Sequence, residues 1–306
     1  MSPDSSIAPG PAALPRVLVT GGRGRIARAL WDDLEGKAWA ITRCSRTASD
    51  GFIAQEDILM SAGPLDVEAI VHCAWSTVPA TAEKLSPADL AQDHTLLRRW
   101  IARAESAPKP PLFIFISTIA VYGETPLPAV EHSSHPLPKG AYASAKLTAE
   151  QIVQASRLDT CVLRVSPLYG LGDADSQQGV IAHLIKAAKP GQTFTQWGDD
   201  SEKDYLHRAD FTEALRRIVA QRLHDKLPYN LGSGQPSKLT SLVTKVGAAM
   251  HCDIPTNRIE APPWDVRQNL VDITRLTDAL KWKPSRMIDQ GIAEAVRTAQ
   301  SCRPGQ

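Results

Sequence analysis

Residues 17–30, VLVTGGRGRIARAL, decide the fold of this chain. An apolar run passes through a glycine-rich turn into a helical pattern, which predicts a strand, a tight turn and a helix over residues 27–34. Gly22, Gly24 and Ala27 fit the pattern G-x-G-x-x-G/A. Glycine lets the backbone approach a pyrophosphate closely, and the start of a helix offers unpaired N–H groups and a positive dipole end. We expect a phosphate-binding turn, with an ordinary turn as the alternative. The candidate binding residues are Gly21, Gly22, Arg23, Gly24, Arg25 and Ile26.

A basic segment follows the predicted second strand, residues 38–42. In dinucleotide-binding folds, an acidic residue about 20 positions past the glycines binds the adenosine ribose. This chain has Arg43, Ser45 and Arg46 there, and two guanidinium groups with a hydroxyl suit a 2′-phosphate. The segment therefore favours NADP(H), with NAD(H) as the second choice. The alternative is a solvated basic loop.

Two further segments are expected beside the same cofactor. Asp57 and Ile58 follow the third strand region, where a carboxylate can accept a hydrogen bond from the adenine amino group. Residues 69–74 have the pattern of a buried strand, and they end with Cys73 and Ala74. We expect these four residues to line the cofactor site.

The composition argues against several classes of function. The 306 residues carry a net charge of +1, so no nucleic-acid-binding field is expected. The five cysteines lack metal-ligand spacing, which predicts a reducing compartment and no structural metal. Residues 1–14 form a tail rich in Ser, Pro and Ala without the features of a targeting segment, and no apolar run reaches the roughly 18 residues that span a bilayer. We expect a cytoplasmic protein that acts on a small molecule and binds neither nucleic acid nor membrane.

A hydroxyl, a phenol and an amine are expected in one site. Thr118 ends an apolar strand pattern, and after a proline-rich loop at 125–140 a helix begins in which Tyr142 and Lys146 are four residues apart. A phenol has a pKa near 10, and an ammonium on the same helix face favours the phenolate and lowers that pKa. Thr118 can hydrogen-bond the same substrate oxygen. A surface Tyr-x-x-x-Lys pair formed by chance is the alternative.

Together these motifs resemble the extended short-chain dehydrogenases/reductases, the group of nucleotide-sugar epimerases, dehydratases and ketoreductases. Matching segments cover nearly the whole chain and are residues 20–26, 71–74, 117–123, 142–146, 163–164, 168–170, 203–207 and 229–234. The resemblance implies an α/β fold, a Rossmann doubly wound parallel sheet with a smaller, discontinuous α/β substrate domain. It also implies a homodimer formed through two long helices near residues 86–106 and 141–156.

The resemblance assigns roles to individual residues. Tyr142 is the acid/base, Lys146 orients the nicotinamide ribose and tunes Tyr142, and Thr118 holds the substrate oxygen. The cofactor site gains Ser117, Tyr142, Lys146, Pro167 and Leu168. The implied substrate-binding residues are Trp75, Thr118, Tyr142, Lys203 and Arg267.

The second half of the chain predicts a discontinuous domain boundary. Residues 15–170 form the dinucleotide-binding domain, and residues 207–236 return to it. Residues 171–206 and 237–306 form the substrate domain. Its expected elements are a helix around 178–189, a segment at 193–197, a strand at 204–206, and helices at 237–251 and 288–299.

The anchors for a substrate diphosphate depart from the pattern of the similar proteins. Those proteins use an asparagine after the sixth strand, an arginine in the segment matching 203–205, and another arginine shortly before the segment matching Asp265. This chain has Pro167, Lys203 and the stretch 261–264 at these places. A nucleotide sugar remains the first choice of substrate. The arginines that can compensate, or be ordinary surface charges, are Arg208, Arg258 and Arg267.

The residues after Thr118 narrow the reaction. Similar dehydratases have a carboxyl-bearing pair there, because removing a proton beside a carbonyl and expelling water needs acid and base groups. This chain has Ile119 and Ala120, so dehydration is disfavoured. Two reactions remain open: a 4-epimerase that retains its cofactor, and a reductase that exchanges it, including an NADPH-dependent ketoreductase of a non-nucleotide small molecule.

A dinucleotide-binding redox sensor without catalysis is a hypothesis from another class. Such relatives commonly lose the tyrosine or the lysine, whereas Tyr142 and Lys146 are both present. The asparagine that often completes a proton relay in the similar proteins has no clear counterpart, since Gln92 and Asp93 stand in its region.

Overall fold

The computed structural model describes residues 13–171 and 179–301. Most of the expected N-terminal tail therefore lies outside the described residues, as does Gln178 at the start of one predicted helix. A 3-10 turn covers Ile119–Tyr122. In chain order, the helices and strands are β1 (Arg16–Thr20), α1 (Arg25–Leu34), β2 (Ala40–Ser45), β3 (Ile53–Ala54), α2 (Gln55–Leu59), β4 (Ala69–His72), α3 (Pro79–Ala82), α4 (Pro87–Glu105), β5 (Leu112–Thr118), β6 (Thr125–Ala129), α5 (Gly140–Gln154), β7 (Thr160–Val165), β8 (Leu168–Tyr169), α6 (Val180–Ala187), β9 (Phe194–Trp197), β10 (Glu202–Asp204), β11 (Leu206–His207), α7 (Arg208–Gln221), β12 (Tyr229–Leu231), β13 (Pro236–Lys238), α8 (Leu239–Met250), β14 (Thr256–Ile259), β15 (Gln268–Val271), α9 (Thr274–Leu280) and α10 (Ile288–Ser301).

Seven parallel strands form the main sheet, in the order β12-β7-β5-β4-β1-β2-β3. Leu18 of β1 pairs with Thr42 on one side and with Ile70 on the other. The central strands read as continuous apolar runs because helices cover both faces of the sheet. This is the Rossmann doubly wound arrangement predicted from the sequence. The strand order reverses between β1 and β4, and ligands of such sheets bind in the crevice at the carboxyl ends there.

Two apolar clusters cover the two faces of this sheet. On one face, α1 and α7 bury Leu30 and Phe211, and on the other, α4 and α5 bury Trp100 and Val153. Each such side chain contributes about 1.5–3 kcal/mol by leaving water. The helices are therefore fixed against the strands that carry the candidate site.

Helix α4 begins where the sequence predicts. The Oγ of Ser86 accepts a hydrogen bond from the Asp89 N–H at 3.2 Å, and Asp89 Oδ2 accepts from the Ser86 N–H at 3.1 Å. Pro87 occupies the first helical position, where its missing N–H has no cost.

The remaining strands form smaller sheets beside the large one. One has the order β13-β10-β15-β6, and two strand pairs join β11 with β8 and β14 with β9. A third apolar cluster unites α6, α8 and α10 around Leu184, Leu242 and Ile292.

Several elements differ from those expected. Strand β2 begins at Ala40 and includes Arg43 and Ser45, and the single strand predicted at 204–206 is divided between β10 and β11. The predicted loop at 125–140 contains β6, which lies at the edge of its sheet. An edge strand tolerates the two prolines of TPLPA because one side needs no N–H donors.

Helix α9 and strands β14 and β15 were not predicted from the sequence. Leu276 and Leu280 of α9 pack into the cluster on the α1 face of the main sheet, although residues 237–306 were assigned to the substrate domain. Helix α9 has only seven residues, so the nearby sequence does not show which elements it packs against.

Candidate active site

The glycine turn brings the backbone of β1, β2 and β4 together. Gly21 has φ +65°, and a Cβ there would lie 2.7 Å from the backbone N and Cα of Ala74. The Gly22 N–H donates to the Cys44 carbonyl at 2.7 Å, and the Gly24 N–H donates to the Gly21 carbonyl at 2.8 Å. Only glycine at position 21 satisfies both the positive φ and the close approach.

The N-terminus of α1 suits an anion. Its N-cap residue is Gly24, no side chain caps the helix, and its first turn contains no acidic residue. The first N–H groups of the helix therefore point outward beside the glycine turn. The glycines of the turn and the positive end of the helix dipole suit a pyrophosphate.

One arginine of the basic segment after the turn already forms contacts within the chain. The Arg43 guanidinium pairs with Glu35 and lies 4.8 Å from the Trp31 ring, so it is not the unpaired anchor that the sequence suggested. Arg46 is exposed directly after β2, while Arg23 of the turn donates to Ser49 Oγ at 2.7 Å.

Three other predicted cofactor residues at this end of the sheet differ in exposure and in their hydrogen bonds. Ser45 is buried and its hydroxyl donates to the Thr47 carbonyl at 2.5 Å, so it is turned into the loop. Asp57 is exposed on α2, and the Ile58 carbonyl accepts from Arg103 Nε at 3.1 Å.

The end of β4 is held to β1 by Thr20. Its hydroxyl oxygen accepts from the Ala74 N–H at 3.2 Å and lies 3.0 Å from His72 Nδ1. Burial lowers the pKa of His72 to about 3, so the ring is neutral at physiological pH. Burial raises the pKa of the Cys73 thiol to about 12, and this group is neutral as well.

Thr118 and Tyr142 meet at the carboxyl end of β5. Thr118 lies close enough to Tyr142 for hydrogen bonding by its hydroxyl to lower the pKa of the phenol, and the Thr118 oxygen accepts from the Ala120 N–H at 3.2 Å. Thr118 is the N-cap of the 3-10 turn, which fixes its position at the strand end. Ser117 faces away from this point: it is 4% exposed, and its hydroxyl donates to Glu150 Oε1 at 2.5 Å. It is therefore a structural donor rather than the expected cofactor ligand.

The protonation of the Tyr142 and Lys146 pair differs from the expected one. Burial raises the pKa of Tyr142 to about 12, while the hydrogen bond with Thr118 opposes that rise. Burial lowers the pKa of Lys146 to about 7. Burial thus outweighs the lowering of the phenol pKa that was expected from the ammonium, which donates to the Ile116 carbonyl at 2.8 Å and faces the Trp75 ring at 4.0 Å.

Comparison with known proteins agrees with this fold. The model of a family described as "NAD dependent epimerase/dehydratase family" matches residues 17–232. The chain belongs to this family. A UDP-glucose 4-epimerase from Azospirillum brasilense is 26% identical over 326 aligned residues, which cover 95% of this chain and 92% of that protein.

Solved structures share the fold of this family member. MoeE5 in complex with UDP-glucose and NAD is 19% identical to this chain, with a TM-score of 0.81. The aligned part covers 94% of this chain and 99% of the MoeE5 chain. RMD from Pseudomonas aeruginosa complexed with NADPH is 21% identical with a TM-score of 0.79, again over 94% of this chain and 99% of that one.

A buried ionic network behind the site was missed at the sequence level. Arg164 of β7 donates to Glu150 of α5 through Nε at 3.1 Å and Nη2 at 2.7 Å. The guanidinium also lies 4.6 Å from the Tyr122 ring, whose hydroxyl donates to Asn230 Oδ1 at 2.9 Å. The available signal was a charged residue inside each of two apolar elements, with Glu150 one turn beyond Lys146.

The cations expected to bind a substrate diphosphate are paired with carboxylates of the chain. Lys203 Nζ lies 3.3 Å from Asp265 Oδ1, and Arg267 lies 3.5 Å from Asp199, which also pairs with Arg258. Arg208 is bound to Asp33 of α1 at 2.8 Å.

The expected cofactor residues after β7 serve backbone pairing. The Pro167 carbonyl accepts from the Leu206 N–H at 3.0 Å, and Leu168 pairs with Leu206 between β8 and β11. Trp197 and Trp264 form an aromatic pair that was not predicted, with ring centroids 5.0 Å apart at 86°. Trp264 packs against Gly140, at the start of the helix that carries Tyr142.

Within the described ranges, 13–171 and 179–301, no helix has the length and apolar character needed to cross a membrane. The same residues contain no group of three or more His, Cys, Asp or Glu side chains arranged to hold a metal ion.

Proposed function

We propose that the chain is an NAD(P)-dependent oxidoreductase or epimerase that acts at a hydroxyl or keto carbon, C4, of a sugar nucleotide or sugar-like substrate. Tyr142 is its acid/base. The observation that carries this proposal is the position of the Thr118 and Tyr142 hydroxyls at the carboxyl end of β5, with the buried Lys146 four residues beyond Tyr142 on α5, at the sheet edge that holds the glycine turn. The family membership and the nucleotide-sugar epimerase among the relatives support it.

Each side chain has a separate task in this proposal. Because its pKa is raised to about 12, Tyr142 is a neutral phenol at physiological pH and can donate its proton to a carbonyl oxygen. Thr118 donates a second hydrogen bond to the same oxygen and orients the phenol. In the reverse direction the substrate hydroxyl gives its proton to Tyr142, which must then be a phenolate. The positive charge of Lys146 favours that phenolate. A bound nicotinamide ring supplies or receives the hydride.

We propose NADP(H) as the preferred cofactor and NAD(H) as the second choice. Arg23 and the exposed Arg46 support a 2′-phosphate, whereas the pairing of Arg43 with Glu35 weakens that support. Structural neighbours are complexed with NAD in one case and NADPH in another. A ligand at 100 times its Kd stabilises the fold by about 2.7 kcal/mol, so thermal unfolding with each cofactor in turn measures the preference.

A second candidate function is favoured by the paired cations on the substrate side. A diphosphate would have to displace Asp265 from Lys203 and Asp199 from Arg267. A neutral substrate has no such requirement, which favours an NADPH-dependent ketoreductase of a non-nucleotide small molecule. Dehydration stays disfavoured, since Ile119 and Ala120 after Thr118 are buried or half-buried and carry no carboxyl group.

One assay separates the two candidates. Purified protein is denatured and its released cofactor is identified, and the native protein is then incubated with UDP-glucose or UDP-galactose. Retained cofactor and interconversion of the two sugars support the epimerase. Protein free of cofactor that oxidises NADPH only with a non-nucleotide ketone supports the reductase. Absence of hydride transfer in both assays would reject both.

The homodimer through α4 and α5 remains a prediction. None of the large apolar side chains that are exposed in the described residues lies on either helix. A dimer through these helices would therefore have a polar interface, and light scattering of the purified protein measures its mass.

A further inference from the structure

Asp93 of α4 is a buried carboxylate with four donors. Asp93 is only 4% exposed to solvent. Oδ1 accepts from the Ser76 N–H at 2.9 Å and the Ser76 hydroxyl at 2.8 Å, while Oδ2 accepts from the Thr77 N–H at 3.0 Å and the Thr77 hydroxyl at 2.8 Å. Hydrogen bonds to an ionised acceptor are short and strong. Asp93 therefore fixes the segment that follows β4.

That segment carries Trp75, which faces the lysine of the candidate site. The Lys146 Nζ lies 4.0 Å from the Trp75 ring centroid, within cation–π range. The His94 ring, next to Asp93 in the chain, lies with its centroid 5.7 Å from that of Trp75, and its Nε2 donates to the Ala145 carbonyl at 2.8 Å. Adjacent residues of α4 thus hold both the ring and the helix turn that bears the ammonium.

The ammonium has few charged neighbours. Lys146 is 5% exposed, donates to the Ile116 carbonyl, and lies 4.8 Å from the Phe115 ring. The ionisable groups that interact with its charge are His72 and Cys73 from the end of β4, Asp93 from α4 and Glu150 from its own helix. Tyr142 lies one turn before it on that helix, and His94 of α4 packs against the Trp75 ring.

Most of these groups do not provide a free negative charge. His72 and Cys73 are neutral at physiological pH, as described above. Glu150 already pairs with Arg164 at 2.7 Å. Asp93 has only neutral donors, so its charge is available to Lys146, and it opposes the lowering of the lysine pKa more than any other group.

Given the proposed function, we propose that Asp93 is a positioning residue that keeps Lys146 in its ammonium form. It does so by placing a buried carboxylate near the amine and by clamping the Trp75 segment over it. Asp93 acts through Lys146 and does not itself touch substrate or cofactor. The inference extends the proposed site by one residue whose effect depends on pH.

The pH dependence of NADPH binding tests this role without a known substrate. In this proposal the ammonium of Lys146 binds the cofactor more tightly than the neutral amine does, so wild-type affinity for NADPH should fall as the pH rises, with a midpoint near pH 7. In D93N the amine loses its proton at lower pH, and the midpoint should move down by about one pH unit or more. K146M should show weak binding without this midpoint. D89N changes an exposed Asp that caps the start of the same helix, and its midpoint should stay at the wild-type pH even if the helix start is weaker.

A second variant separates charge from clamping. The double variant S76A/T77V removes two hydroxyl donors but keeps the Asp93 charge, so its midpoint should stay at the wild-type pH even if binding weakens. An unchanged midpoint in D93N would overturn the proposal, whether or not its binding is uniformly weaker.

A thermodynamic cycle keeps the inference testable if NADPH does not bind at all. D93N is compared with wild type by urea unfolding, and the same change is made in a K146M background. At pH 6 the loss of stability should be larger when Lys146 is present, and this difference should shrink as the pH rises above 8. Equal losses in both backgrounds would overturn the role of Asp93. Coupling without NADPH binding would instead reject the proposed function and leave the Asp93–Lys146 interaction standing.

Discussion

Replacing Glu150 with glutamine removes one charge of the buried pair behind the site. The side chains of Arg164 and Glu150 are 6% and 1% exposed. Loss of one partner from such a pair costs about 3–5 kcal/mol, because the remaining charge stays buried without compensation. Folded proteins have total stabilities of about 5–15 kcal/mol. E150Q should therefore lose a large part of its free energy of unfolding.

A matched control is available on α7. Glu213 accepts from Arg216 and Arg217 at 2.7 Å each, but these side chains are 31–39% exposed. Exposed pairs contribute about 0.2–1 kcal/mol, so E213Q should lose less than about 1 kcal/mol. Urea unfolding of both variants, followed by far-UV circular dichroism, gives the comparison.

Replacing both members of the buried pair should restore the free energy of unfolding. In E150L/R164M both charges are replaced by apolar groups, and such replacements of whole buried pairs are often neutral. The double variant should recover much of the stability that E150Q loses. Losses in E150Q no greater than those in E213Q would refute the assignment of a buried, uncompensated charge.

Two further perturbations test the turn and the strand beside it. G21A should abolish stabilisation by NADPH, because its Cβ would lie 2.7 Å from the Ala74 backbone. G36A is the control, since Gly36 has a similar φ of +69° but no atom within 4 Å of the added Cβ. It should lose only about 1 kcal/mol of stability through strain and should still be stabilised by NADPH. The neutral His72, whose pKa is about 3 in the fold and about 6.5 in the unfolded chain, should cost the wild type about 1.4 kcal/mol per pH unit as the pH falls below 6.5. H72F should lack this part of the acid slope in urea titrations, and an unchanged slope would contradict the burial argument.

The sequence predicts well where structure is decided by near neighbours. The turn around Gly21 and the start of α4 at Ser86 follow from residues within one or two turns of each other. Strand β6 could not be predicted in this way, since two prolines mark the segment as a loop. Its strand state depends on pairing with β15, more than 100 residues later.

The positions of Thr118 and Tyr142 follow from the sequence, because a strand end and a helix start are both visible in it. Their roles remain a prediction, and their protonation could not be predicted. The directions of the pKa shifts depend on burial and on where an ammonium points, and these are properties of packing. The partners of Lys146, the carbonyl of Ile116 and the ring of Trp75, come from distant segments and carry no local pattern.

The central claim is that Tyr142 transfers the proton that accompanies hydride transfer. Its most direct test compares wild type and Y142F for NADPH affinity and for the single-turnover rate with the substrate that supports wild-type turnover. Y142F should bind NADPH with an affinity within about twofold of the wild type. Its single-turnover rate should be lower by about 100-fold or more, since a positioned acid/base raises a rate by about 10²–10⁴. A Y142F protein that binds NADPH and retains the full rate would contradict the account and favour a dinucleotide-binding sensor.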